Sequence, residues 1–85
     1  MTVLEKIIEH YPEDTFQTMD GFDEAIIGVD ECTHTLVYDK NKIIALLTRD
    51  NLEWSELDVI EWYEFNVLRS VRGREEYPKI IEVWK

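Results

Sequence analysis

The sequence predicts an α+β fold in one domain, residues 1–85: a small three-stranded antiparallel sheet packed by helices on one face, in the order α-β-β-α-α-β. Three observations lead there. Apolar residues recur at helical spacing in three stretches. Two short β-branched runs stand close enough for a hairpin, and a third lies near the C-terminal end. Only 3 Gly and 2 Pro occur in 85 residues, so no flexible linker divides the chain.

The first helix is predicted over Thr2 to His10. Thr2 with Glu5 forms a capping box, and Val3, Leu4, Ile7, Ile8 and Tyr11 make the apolar stripe. Pro12 disfavours helix at the residue before it. Residues 12–24 read as an irregular connection, pinned to the body by Phe16, Met19 and Phe22. Ala25–Val29 and Thr35–Tyr38 read as hairpin strands, with Gly28 at a bulge or under a close-packed helix. Asp39 caps a helix through about Arg49, with Ile43, Ile44, Leu46 and Leu47 facing the core. Asn51 is expected in the left-handed position that ends this helix, folding Leu52 back on Leu47. Ser55, with Asp58 at N3, starts a helix to about Leu68. At about 100° per residue, Leu57, Val59, Ile60, Tyr63, Val67 and Leu68 share one arc. Glu64 falls inside that arc, where a carboxylate needs a partner such as Arg69, Arg72 or a tyrosine hydroxyl. Around Gly73 the chain turns, and Lys79–Trp84 reads as the last strand, completing the sheet.

Acidic residues outnumber basic ones by 19 to 9, for a net charge of −10 at pH 7. The excess lies in two blocks. Residues 1–31 hold nine acids against Lys6, and residues 51–68 hold five acids and no base. Carboxylates from both, namely Asp20, Asp23, Glu24, Asp30, Glu31, Glu53, Glu56, Asp58 and Glu61, are the candidate negative surface for a basic protein partner. The bland reading is a solvated surface that keeps a small domain soluble. Arg69, Arg72 and Arg74 are positioned to neutralise part of the field. Trp54, Trp62 and Phe65 are the candidate apolar interface if they are exposed, although such rings more often fill a core.

Several chemistries lack their residues. Direct nucleic-acid or anionic-membrane binding needs clustered Lys and Arg. No apolar run approaches the roughly 20 residues of a membrane span, and no signal-peptide pattern opens the chain. One cysteine forms no intrachain disulfide. Cys32 and His34, with His10 alone besides, make a poor zinc set, and nothing in the sequence orients His34 toward Cys32 as a nucleophile's base. Asp20, Asp23, Glu24 and Asp30 lack the order of a calcium loop. Gly21, Gly28 and Gly73 are isolated, so no phosphate-cradling loop forms, and no cofactor is expected. The helix carrying Glu56, Asp58, Glu61 and Glu64 does not suit a groove of phosphates.

Three segments carry a resemblance. Asp20-Gly21-Phe22-Asp23-Glu24-Ala25-Ile26-Ile27-Gly28, then Leu36-Val37-Tyr38-Asp39 with Lys42, then Glu61-Trp62-Tyr63-Glu64-Phe65-Asn66-Val67 resemble a family of small bacteriophage-encoded accessory proteins. Its pattern is D-G-x-D-D-A-I-I-G, Y-D-x-x-K and Y-F-E-F-N, in that order. Gly73 and Pro78 match the family's last turn, but the threonine before its proline is missing here. The resemblance implies a phage setting, in the cytoplasm of an infected bacterial cell, and no catalytic residues.

The expectation is a non-enzymatic protein that binds a host or phage protein with a basic surface. It would inhibit nucleic-acid-handling or defence machinery in the anti-CRISPR or anti-restriction manner, as a nucleic-acid mimic. The alternatives are a self-assembling structural module with an aromatic homodimer contact, and a small hydrolase. A monomer or a homodimer suits these readings.

Overall fold

The computed structural model describes residues 2–84. Helix α1 (Val3–His10) is capped by Thr2, whose hydroxyl accepts from the Glu5 N–H at 3.1 Å. The Glu5 carboxylate meets that same hydroxyl at 3.2 Å. Ile7 is buried, and Leu4 and Tyr11 pack against the core, whereas Val3 and Ile8 stay exposed. The following connection is irregular up to a 3₁₀ turn (Asp23–Ala25), and Phe16, Met19 and Phe22 anchor it as expected. A partly buried hydrogen bond reinforces those anchors: the Met19 N–H donates to the Tyr38 hydroxyl at 2.9 Å.

Strands β1 (Ile26–Asp30) and β2 (Thr35–Asp39) pair antiparallel. The register slips between Ile26 and Gly28, so the expected bulge is present. Gly28 lies in open space rather than under a helix. The turn between the strands is built by Asp30, whose Oδ1 accepts from the Cys32 N–H at 2.9 Å. His34 takes a positive φ of 56° there. Thr35, Leu36 and Tyr38 are buried, and Val37 is half-buried.

Helix α2 (Lys40–Asp50) begins where β2 ends, with the Asp39 carboxylate accepting from the Asn41 N–H at 2.8 Å. Ile43, Leu46 and Leu47 are buried. Its end departs from expectation. Asn51 has φ −135° rather than a left-handed value, and Leu52 is 82% exposed. The Asn51 side chain instead donates to the Leu47 carbonyl at 3.0 Å, serving the carbonyl that a left-handed turn would have served.

Helix α3 (Glu56–Trp62) runs without a break into a π-helical stretch (Tyr63–Leu68) and a last turn, α4 (Arg69–Val71). Ser55 and Asp58 form the full reciprocal capping box. Val59, Tyr63, Val67 and Val71 are buried, a strict four-residue repeat. Four steps of an ideal α-helix overshoot one turn, so such a stripe drifts around the helix. A π-turn, with its i→i+5 bonds, is wider and brings the stripe back. This corrects the expected arc. Leu57 and Ile60 are exposed, and so is Glu64, whose carboxylate stands in solvent and needs no partner.

Strand β3 (Lys79–Ile81) is shorter than expected and pairs with β2 in parallel. The sheet, in the order β1-β2-β3, is therefore mixed rather than antiparallel. The β2-to-β3 connection, residues 40–78, carries both α2 and α3, the long crossover that parallel pairing requires. Trp84 is 85% exposed. Among the described residues no helix is long and apolar enough to cross a membrane, and no buried side-chain polar atom lacks a partner.

Candidate functional site

The segment between α2 and α3 positions the most distinctive surface feature. The Trp54 N–H donates to the Asn51 carbonyl at 3.0 Å, and the Ser55 capping box follows at once. This tight turn folds Trp54 back onto the helix it precedes. Its indole lies 6.1 Å from that of Trp62, centroid to centroid, with the planes inclined at 41°. Beside the pair, Trp54, Asp58, Glu61, Trp62, Phe65 and Asn66 line an open groove of about 310 Å³. On the helix, Asp58, Trp62 and Asn66 form one ridge at four-residue spacing, and Glu61 and Phe65 the next.

The groove brings together five of the residues singled out from sequence: Trp54, Trp62, Phe65, Asp58 and Glu61. Trp54 is half-buried, Trp62 is 38% exposed and Phe65 is 65% exposed, so the latter two are not core residues. Asp58 is held in place, since its Oδ2 accepts from the Ser55 N–H at 3.1 Å. Asn66 lines the groove as well, one turn beyond Trp62, whose carbonyl accepts from its amide at 3.1 Å.

The remaining acids lie outside the groove. Glu53 and Glu56 are exposed at its approach, before and at the start of α3. Asp20, Asp23 and Glu24 are exposed on the connection and its 3₁₀ turn, and Asp30 and Glu31 belong to the hairpin end of β1. Two of these carry other duties. Asp30 holds the hairpin turn, and Glu24 pairs with Arg49 at 3.5 Å. Arg49 also engages Asp50 at 3.0 Å, and these two acids raise the guanidinium pKa, Asp50 more strongly.

In the same hairpin turn, Cys32 is exposed, while the His34 Nε2 is 2.9 Å from Asp14 Oδ2. The His34 ring lies 5.0 Å from Tyr11 and 5.1 Å from Phe16, tying α1, the connection and the hairpin turn together. Asp14 thus holds His34 against Tyr11 and Phe16. Among the described residues, no three His, Cys, Asp or Glu side chains gather as metal ligands would.

Burial raises the hydroxyl pKa of both core tyrosines. For Tyr38, burial is opposed by the Met19 N–H and assisted by Asp23 and Asp20. For Tyr63, Glu82 and Glu64 add to burial. Both remain neutral structural groups at ordinary pH.

No protein-family model, curated protein or solved structure matches the chain.

Proposed function

We propose that the chain is a non-enzymatic accessory protein, of the phage-encoded kind that its segments resemble, and that it binds a basic protein through the acidic, aromatic groove on α3. One observation carries this reading. The groove sets exposed rings beside carboxylates, and no basic residue lines it. Aromatic anchors dominate protein–protein contacts, and apolar surface gathered in one place is rare on a chain that works alone. A net charge of −10 draws a basic partner inward at low ionic strength. The partner class is a nucleic-acid-handling or defence protein of the infected cell, and the acidic surface occupies its basic channel in place of nucleic acid.

Affinity capture from bacterial lysate tests the reading. A partner should be retained at about 50 mM salt and released near 500 mM, where the Debye length falls to about 4 Å. The triple variant Glu53→Lys, Glu56→Lys, Glu61→Lys should lose it. Retention indifferent to this charge reversal sinks the proposal.

A separate observation favours self-assembly as a second reading. The spacing that turns Val59, Tyr63 and Val67 inward turns Glu61, Phe65 and Arg69 outward, and all three are exposed. Two such helices packed antiparallel about a two-fold axis at Phe65 would set each Glu61 against the Arg69 of a second copy. Light scattering decides: a mass twice 10.2 kDa that returns to 10.2 kDa in Phe65→Ala supports the dimer, and a monomer throughout ends it.

A further inference from the structure

We infer that the α3 groove reads a single arginine side chain of its partner, stacking the guanidinium on the open rings of Trp62 and Phe65 and binding its N–H groups with Asp58 and Glu61. This rests on the protein-binding reading above and names what the partner must present.

The molecule's own cations supply the first argument. Lys40 lies 5.6 Å from the centre of the Tyr63 ring and Arg74 lies 5.0 Å from that of Tyr77. Among the described residues, no cation of the chain covers Trp54, Trp62 or Phe65 in this way. Trp62 and Phe65 are 38% and 65% exposed, so a cation from outside can reach them.

Acceptors stand beside those faces. Asp58 is fixed through Oδ2 by the Ser55 N–H, which leaves Oδ1 open. Glu61 makes no side-chain hydrogen bond or ion pair among the described residues, and it lines the same groove. Asn66 uses its amide nitrogen on the Trp62 carbonyl, leaving its oxygen as a third acceptor. Exposed rings edged by several oxygen acceptors suit a planar, forked donor. Guanidinium is that donor, whereas an ammonium is compact, strongly hydrated and gains little from stacking. The volume agrees. The open groove, of about 310 Å³, has room for one long side chain from a protein.

The test titrates the full chain with three short Gly/Ser peptides carrying arginine, lysine or citrulline at the centre, followed by the indole N–H resonances of the tryptophans. The arginine peptide should shift the Trp54 and Trp62 signals saturably. The lysine peptide should bind about tenfold more weakly and the uncharged citrulline peptide not at all. Glu61→Gln and Phe65→Ala alter exposed side chains, so the fold survives both, and each should weaken the arginine peptide at least about threefold. Equal binding of lysine and arginine, binding of citrulline, or indifference to both variants overturns the inference. Charge-dependent capture from lysate without any arginine-peptide shift defeats the arginine inference alone. The reverse result defeats the proposed function and leaves the arginine chemistry standing.

Discussion

Tyr38 shows how one side chain can hold several parts of a small protein. Its ring is fully buried under the sheet's covered face, and its hydroxyl accepts the Met19 N–H of a connection with little regular structure. Tyr38→Phe should cost about 1–3 kcal/mol in urea unfolding, because the Met19 N–H loses its partner. A change within experimental error would mean that water replaces the hydroxyl without loss. The same burial sets an alkaline limit. Tyr38 and Tyr63 have hydroxyl pKa values raised above 10.0, so folding favours their protonated forms. That contribution is fully present below about pH 10 and falls away as pH rises from 10 through the folded values. Stability should therefore be level from about pH 7 to 9 and decline above 10, with a smaller decline in Tyr63→Phe. An unchanged alkaline slope in that variant would refute the assignment.

Helix caps were legible because they are local. Thr2, Asp39 and Ser55 each sit directly before the first residue of a helix, and each accepts the hydrogen bond that its side chain suits. Ser55→Ala removes a cap and loosens the turn that presents Trp54. It should cost about 1 kcal/mol and shift the Trp54 and Trp62 indole signals, readable by denaturation and by NMR. The end of α2 was misread for a reason of the same kind. Asn suits the left-handed position, but its side chain can also reach back four residues, and here it does. The π-helical stretch was not legible at all. Helical wheels assume a constant 100° step, and the buried stripe of Val59, Tyr63, Val67 and Val71 departs from it. The same assumption placed Glu64 inside the apolar arc, while it set Trp62 and Phe65 on the opposite side with Asp58 and Glu61, where they stand exposed. Asn66→Ala removes the bond to the Trp62 carbonyl and should cost about 0.5–1.5 kcal/mol, read in urea. No loss would show that the π-turn satisfies its carbonyls without help.

For the molecule as a whole, a small core is set against a large charge. Leu36 is fully buried between sheet and helices, and Leu36→Ala should cost about 2–5 kcal/mol. For a chain of 85 residues, total stability is only about 5–8 kcal/mol, so thermal unfolding should show that variant close to collapse. Repulsion among 19 acids against 9 bases works in the same direction. Raising salt should therefore raise the melting temperature, while it weakens capture of a basic partner. A melting temperature that falls with salt would mean that Arg49–Glu24, Lys40–Glu82 and similar pairs outweigh the repulsion.

The α+β class, helix starts, hairpin strands and the apolar positions of α2 could all be read from the chain, because each follows from spacing and side-chain chemistry within a few residues. Parallel pairing of β3 could not, since strand propensity carries no information about which edge, or which direction, a distant strand will adopt. The groove was half legible: the ordinary helical period sets Trp62, Phe65, Asp58 and Glu61 on one side of the helix, but their meeting with Trp54 required the turn before α3 to fold that ring back. Spacing along either helix carries no information about the turn that joins them.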